Sequence, residues 1–204
     1  MSTPTTYPNG QVLTSSALTD TAMNIVMQAQ TCGMLGINPV DPAQVRVDWQ
    51  PQGQPDVATP SQDSCYVMSV LEDVDYSRVR DREASGTGPV VQTWSYTRGW
   101  HISWDCYGPN SFDRARQIHS ALFMDYFDTQ FSLVNLYFVS DPSEPTRVPI
   151  LHNGQWYDHT HFHCVFYEAV TETISDPAVT SVAVAIYADI PNTTDPAATV
   201  TVNS

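Results

Sequence analysis

The clearest pattern along this chain is a change of hydrophobic period between residues 100 and 127. Trp100, Ile102, Trp104 and Cys106 occupy every second position, with His101, Ser103, Asp105 and Tyr107 between them. That alternation predicts a strand covered on one face. Beyond Gly108-Pro109 the apolar positions become Phe112, Ala115, Ile118, Leu122 and Tyr126, the three- and four-residue spacing of a helix with one buried stripe. Pro109 forbids further ladder pairing, Asn110 or Ser111 supplies a cap, and Asp113 suits the positive end of the helix.

The same signals order the rest of the chain. Leu18, Ala22, Ile25, Val26 and Ala29 predict a first helix, capped by Ser15 or Ser16 and ended by Gly33 or Gly36 with Pro39. Alternation predicts strands at 44–50, 64–74 and 90–107, the last bent by a bulge near Arg98-Gly99. Between the first two lies PQGQPDVATPSQD, turn chemistry throughout. Short apolar pieces at 132–139 and 147–151 flank the turn DPSEP, and Asn153-Gly154 predicts a tight hairpin into a strand from Trp156 to about Val170. A last strand is expected at 182–189.

These elements describe an α+β fold, a mostly antiparallel β-sheet with two amphipathic helices packed on one face, plus extended terminal arms. Residues 1–14 read as an arm, 15–189 as a single domain and 190–204 as a tail. The tail's TVTV step reads either as disordered in an isolated subunit or as a strand for β-augmentation of another subunit's sheet edge.

Composition narrows the function. The 204 residues are 42% hydrophobic and 15% charged, enough for one core without a staple. Acidic residues outnumber basic ones 22 to 8, for a formal charge of −14, and every basic residue is Arg. A protein that grips nucleic acid needs a basic patch, so this balance argues against specific DNA binding. No apolar run reaches the ~18 residues that would cross a bilayer, and the N-terminus lacks a basic region followed by an apolar core, so folding in a cytoplasm is expected. Cys32, Cys65, Cys106 and Cys164 lack metal-type spacing and read as buried, reduced thiols.

Two clusters carry candidate chemistry. Arg78, Arg80 and Arg82 lie in SRVRDREASGTG, read as a loop or hairpin arm whose guanidinium groups suit an acidic neighbouring subunit. His159, His161 and His163 alternate along a strand, which places three imidazoles on one face roughly 6 to 7 Å apart. Such a row either approaches a zinc geometry that needs a further element to complete it, or stacks on aromatic neighbours such as Trp156 and Tyr157 at a subunit interface. No nucleophile elbow, His-Glu-x-x-His, P-loop or dinucleotide fingerprint is present. The Gly108 turn lacks a following Lys-Ser/Thr, loses a donor to Pro109 and faces Asp113, which argues against a phosphate site. No cofactor, catalytic residue or metal ligand is expected, and both clusters are candidate subunit or tube contacts.

The strand HISWDCYGPN, the helix NSFDRARQIHSALFMDYF, the linker LYFVSDPSEPTRVPI and the segment HNGQWYDHTHFHCVFYEAV follow one another in the order seen in a known family. In these residues, about Val90 to Val170, the chain resembles the tail (neck) terminator proteins of tailed bacteriophages. The resemblance implies a structural, non-enzymatic virion protein of the tail or neck, assembled in the host cytoplasm. It implies a ring of this chain, six subunits as in the family, that caps the tail tube and joins it to the head. The implied partners are further copies of itself, the tail tube protein, a neck, head-connector or stopper protein and the tail sheath, with genomic DNA passing through unbound and no membrane. A head-completion or stopper protein is the nearest rival, and a metal-dependent enzyme built on the His row is the third reading.

Overall fold

The computed structural model describes residues 4–8, 10–37, 41, 43–47, 62–74, 79–84, 90–176, 181–186 and 198–203. Among them the elements, in chain order, are β1 (Thr5–Thr6), β2 (Val12–Ser15), α1 (Asp20–Met34), β3 (Val45–Val47), β4 (Ser64–Val74), β5 (Val79–Ala84), β6 (Val90–Tyr107), α2 (Ser111–Ala121), α3 (Asp125–Ser132), β7 (Leu136–Phe138), β8 (Thr146–Arg147), β9 (Ile150–His152), β10 (Gln155–Tyr157), β11 (His159–Asp176), β12 (Ser181–Ile186) and β13 (Ala198–Asn203).

Two strands of 18 residues, β6 and β11, form the axis. They pair antiparallel from His159↔Tyr107 to Asp176↔Val90 without a register shift. On the far side of β6, β4 covers Arg98–Tyr107 and β5 covers Val90–Ser95. The free edge of β11 is covered piecewise by β8, β7 and β2, with β1 beyond β2. A parallel strand, β3, closes the edge beyond β4. This is the expected α+β, mostly antiparallel sheet.

The core lies on the helix-covered face. Trp100, Ile102, Trp104 and Cys106 of β6 cluster with Phe162, Cys164 and Phe166 of β11, Cys65 and Val67 of β4, and side chains of the three helices. Trp104 stacks on its cross-strand partner Phe162 at 4.8 Å, and its indole N–H donates to Thr31 Oγ1 of α1.

Several details differ from expectation. Helix α1 is capped by Thr19, whose hydroxyl accepts from Ala22 N–H, and it buries Met23, Met27 and Met34. Ile25, assigned to its stripe, is 61% exposed. Unbranched Met side chains shape themselves to an uneven aromatic surface better than β-branched ones, so period alone chose the neighbouring face. The helix expected through Tyr126 breaks at Met124, whose ψ of 131 is extended, and restarts as α3. That break resets the phase: Phe127 and Phe131 enter the core, and Tyr126 is exposed.

The bulge lies at the expected level but on the partner strand, between Leu71 and Asp73 opposite Trp100 and Gly99. Val12–Ser15, read as part of the arm and the first cap, is a sheet strand, and Ser16 Oγ accepts from Thr171 N–H. Val79–Ala84, read as loop, is a strand paired to β6. The TVTV step at 199–202 pairs antiparallel with β12 of its own chain. Trp49, the loop at 51–61, Arg78, the glycines at 86 and 88 and the tail at 190–197 lie outside the described residues.

Among the described residues Gly108 is the position where glycine is demanded twice. Its φ is +96, and a Cβ there would stand 2.8 Å from the Asp63 backbone. Asp63 accepts from both Asn110 N–H and Asn110 Nδ2, so a carboxylate of the chain itself sits at the start of α2. An external anion has no place there.

Candidate assembly surface

The face of the same sheet opposite the helices carries the histidines. Because β6 and β11 pair without a shift, His159, His161 and His163 stand beside Tyr107, Asp105 and Ser103. The unshifted register brings Asp105 between two imidazoles: its Oδ1 accepts from His159 Nε2 at 2.8 Å and from His161 Nδ1 at 2.9 Å. His159 Nδ1 donates to the Val148 carbonyl at 3.0 Å. Both nitrogens of His159 therefore face acceptors, and only the imidazolium satisfies both. Burial pushes the His159 pKa down, but the bonds to Asp105 and to the Val148 carbonyl outweigh it, and the net shift is upward. Burial likewise pushes Asp105 up, and the two histidines overcome it, leaving the carboxyl below its ordinary value. The Tyr107 ring stacks on His159 at 4.6 Å, a favourable place for a cation.

The upper part of the row is different. His163 lies against His101 at 4.7 Å and 5.9 Å from His161, with Ser143 Oγ at 3.2 Å from its Nδ1. Burial first, then the neighbouring His101 and His161, hold His163 below its ordinary pKa. The row thus has one end, at His159, where the cation is favoured and another, at His163, where it is disfavoured. Among the described residues no group of three or more His, Cys, Asp or Glu could hold a metal ion. Both His159 nitrogens are engaged, by Asp105 and by the Val148 carbonyl, so neither is open to a metal in this arrangement. The stacking partners are Tyr107 and His101, in place of Trp156 and Tyr157.

The Arg cluster is not brought to this row. Arg80 and Arg82 pair with Trp94 and Gln92 on β6, whereas His161 pairs with Asp105. Eleven residues of strand, up to about 35 Å, separate the two.

Sequence reasoning missed the partners that make the row coherent. Asp105, His101 and Tyr107 were visible as the alternate positions of β6, and Val148 and Ser143 were not visible at all. What was lacking was the register between strands 54 residues apart.

It also missed an exposed apolar set. Beside the histidine end, β9 and β10 form a separate hairpin whose turn residues Asn153 and Gly154 both have positive φ. Across it Trp156 pairs with Leu151, and the two are 70% and 58% exposed. Pro149, Trp156, Tyr157 and Asp158 line an open groove of about 550 Å³ beside it. At the α2–α3 junction Phe123, Met124 and Tyr126 are also exposed, as is Leu133 at the far end of α3. Large exposed apolar groups in this number mark contact surfaces.

Residues 19–195 match the model of a family described as phage neck terminator protein. No curated protein matches the chain.

Proposed function

The chain belongs to the phage neck terminator protein family, a structural component of the virion's tail and neck, and on that premise we propose that it closes into a ring, six subunits in the reading carried by the resemblance, that caps the tail tube and joins it to the head connector or stopper. The exposed Trp156–Leu151 pair carries this reading. A two-stranded hairpin outside the main sheet is marginal in water unless it packs on something, and this one presents its largest apolar side chains outward. The α2–α3 junction offers a second, chemically similar patch on a different part of the subunit. Contact between patches at two different places on the subunit is heterologous, and it closes a ring when the rotation permits.

The formal charge of −14 fits a lumen that DNA passes without sticking, since the fields of several subunits add. Arg80 and Arg82, on a strand far from the histidines, suit an acidic neighbouring subunit or tube, and Arg78 adds a third guanidinium in sequence. The histidine row with Asp105 is a second contact candidate. Polymerisation of the tube stops because the tube-facing surface complements the last tube ring and the opposite surface does not. Tail sheath joins the partners only where the tail is contractile, and assembly takes place in the host cytoplasm.

Native mass of the purified chain, alone and mixed with tube protein, tests this. A ring mass in either condition, lost in Trp156→Ser, is the expected result. A single-subunit mass in both would sink the proposal. In the phage, loss of the gene should give overlong tails or unjoined heads and tails.

A further inference from the structure

We propose that Cys65 and Cys106 are a latent disulfide, reduced during assembly and closed by a small-molecule disulfide once the protein leaves a reducing compartment. All four cysteines are free and buried, but only these two face each other in register, Cys65 on β4 and Cys106 on β6. Cys106 Sγ–H donates to Cys65 Sγ at 3.1 Å.

The backbone is set for closure. Cys65 N–H donates to Gln44 O of the β3 side at 2.8 Å, so its peptide groups point away from β6. Cys65 and Cys106 are therefore a non-hydrogen-bonded antiparallel pair, the kind in which Cα atoms approach to about 4.5 Å and side chains lie closest. That separation falls inside the span a disulfide bridges. Cys164, by contrast, pairs with Ile102, and Cys32 lies on α1.

Access is the slow part. Both thiols are fully buried, and the hydrogen bond from Cys106, with burial, pushes the Cys65 thiol well up, so little thiolate exists at neutral pH. Cys65 is the second residue of β4, and its outer neighbour β3 has only three residues. Fraying there exposes it. The Cys65 thiolate attacks oxidised glutathione and expels one glutathione thiolate; the Cys106 thiolate then attacks the Cys65 sulfur and expels the second. The two thiol protons end on the two reduced glutathiones.

The virion location supplies the setting, because a particle released from a cell meets oxidising surroundings. The chemistry itself does not depend on ring formation, and its test is indifferent to oligomeric state. The purified full chain is incubated with oxidised glutathione at mildly alkaline pH, denatured in a thiol-trapping reagent and mapped by mass spectrometry. The titratable thiols should fall from four to two, with one peptide joining Cys65 to Cys106, and the melting temperature should rise by several degrees. In Cys65→Ala, and in Cys106→Val as a variant that keeps the core apolar, the three remaining thiols should persist. Four thiols after prolonged incubation would overturn the proposal, as would a link through Cys32 or Cys164, or a glutathione adduct on Cys65 that never resolves.

Discussion

The two halves of the β6–β11 ribbon share one register and differ in everything that covers them. From Gly99 to Cys106 the β6 residues are buried or half-buried, and Trp100, Ile102, Trp104, Phe162 and Phe166 are all but closed to solvent under the helices. From Val90 to Arg98 every described position is half-buried or exposed. Pairing therefore continues where the core does not. Backbone hydrogen bonds carry a strand past its hydrophobic support, and side-chain bonds then replace burial: Trp94 Nε1 and Tyr96 OH both donate to Glu172.

A charged group marks the border between the halves. Glu168, 1% exposed, accepts from Arg98 Nε and Nη2 and from Trp100 Nε1 through one oxygen, and from Leu18 N–H through the other. Arg98 Nη2 also donates to Leu18 O. The entry to α1 is thus fastened to the ribbon where the core ends. Glu168→Ala should give the largest loss, about 3–5 kcal/mol, because it strands a mostly buried guanidinium and an indole N–H together. Urea unfolding measures it. A loss below about 1 kcal/mol would mean that the border is not held by this pair.

How much of this was legible follows the same division. The alternation from Trp100 to Tyr107 was readable because the helices cover that part of the sheet on one side, which writes a two-residue period into the chain. The helix stripe was readable only as far as Leu122, because the phase reset at Met124 depends on where Phe131 meets Phe166 of β11 and Phe127 lies against Gly33 of α1. The His row was visible, but its meaning came from Asp105, and no local signal pairs position 105 with 161. Glu168 was unreadable for a related reason: a lone acid at a core position makes sense only once Arg98 and Trp100 stand opposite it.

The face of the core half opposite the helices offers a middle-sized test with a defined sign. His159 has a raised pKa, so its contribution to stability is complete below its ordinary value of 6.5 and is lost as pH rises through the raised one. Asp105 has a lowered pKa, so its contribution is complete above its ordinary 3.8 and is lost as pH falls through the lowered one. His163 runs the other way, and its penalty grows as pH falls below 6.5, but it is common to the wild type and an Asp105 variant. Asp105→Asn should therefore cost about 1–3 kcal/mol near pH 5.5 and distinctly less near pH 9. Equal cost at both would show that His159 is neutral in the fold.

The smallest expected effect cuts most directly between the two halves. Glu172→Gln keeps the shape and one acceptor for Trp94 or Tyr96 and removes the charge, so global stability should fall by only about 1 kcal/mol. Its effect should be local, since among the described residues no helix lies above the outer half, which then opens without disturbing the core. Amide hydrogen exchange at Val91–Ser95 should quicken several-fold while Ile102–Tyr107 stays as in the wild type. If both stretches quicken together, the ribbon opens as one unit, and a continuous register, rather than helix cover, sets the stability of each half.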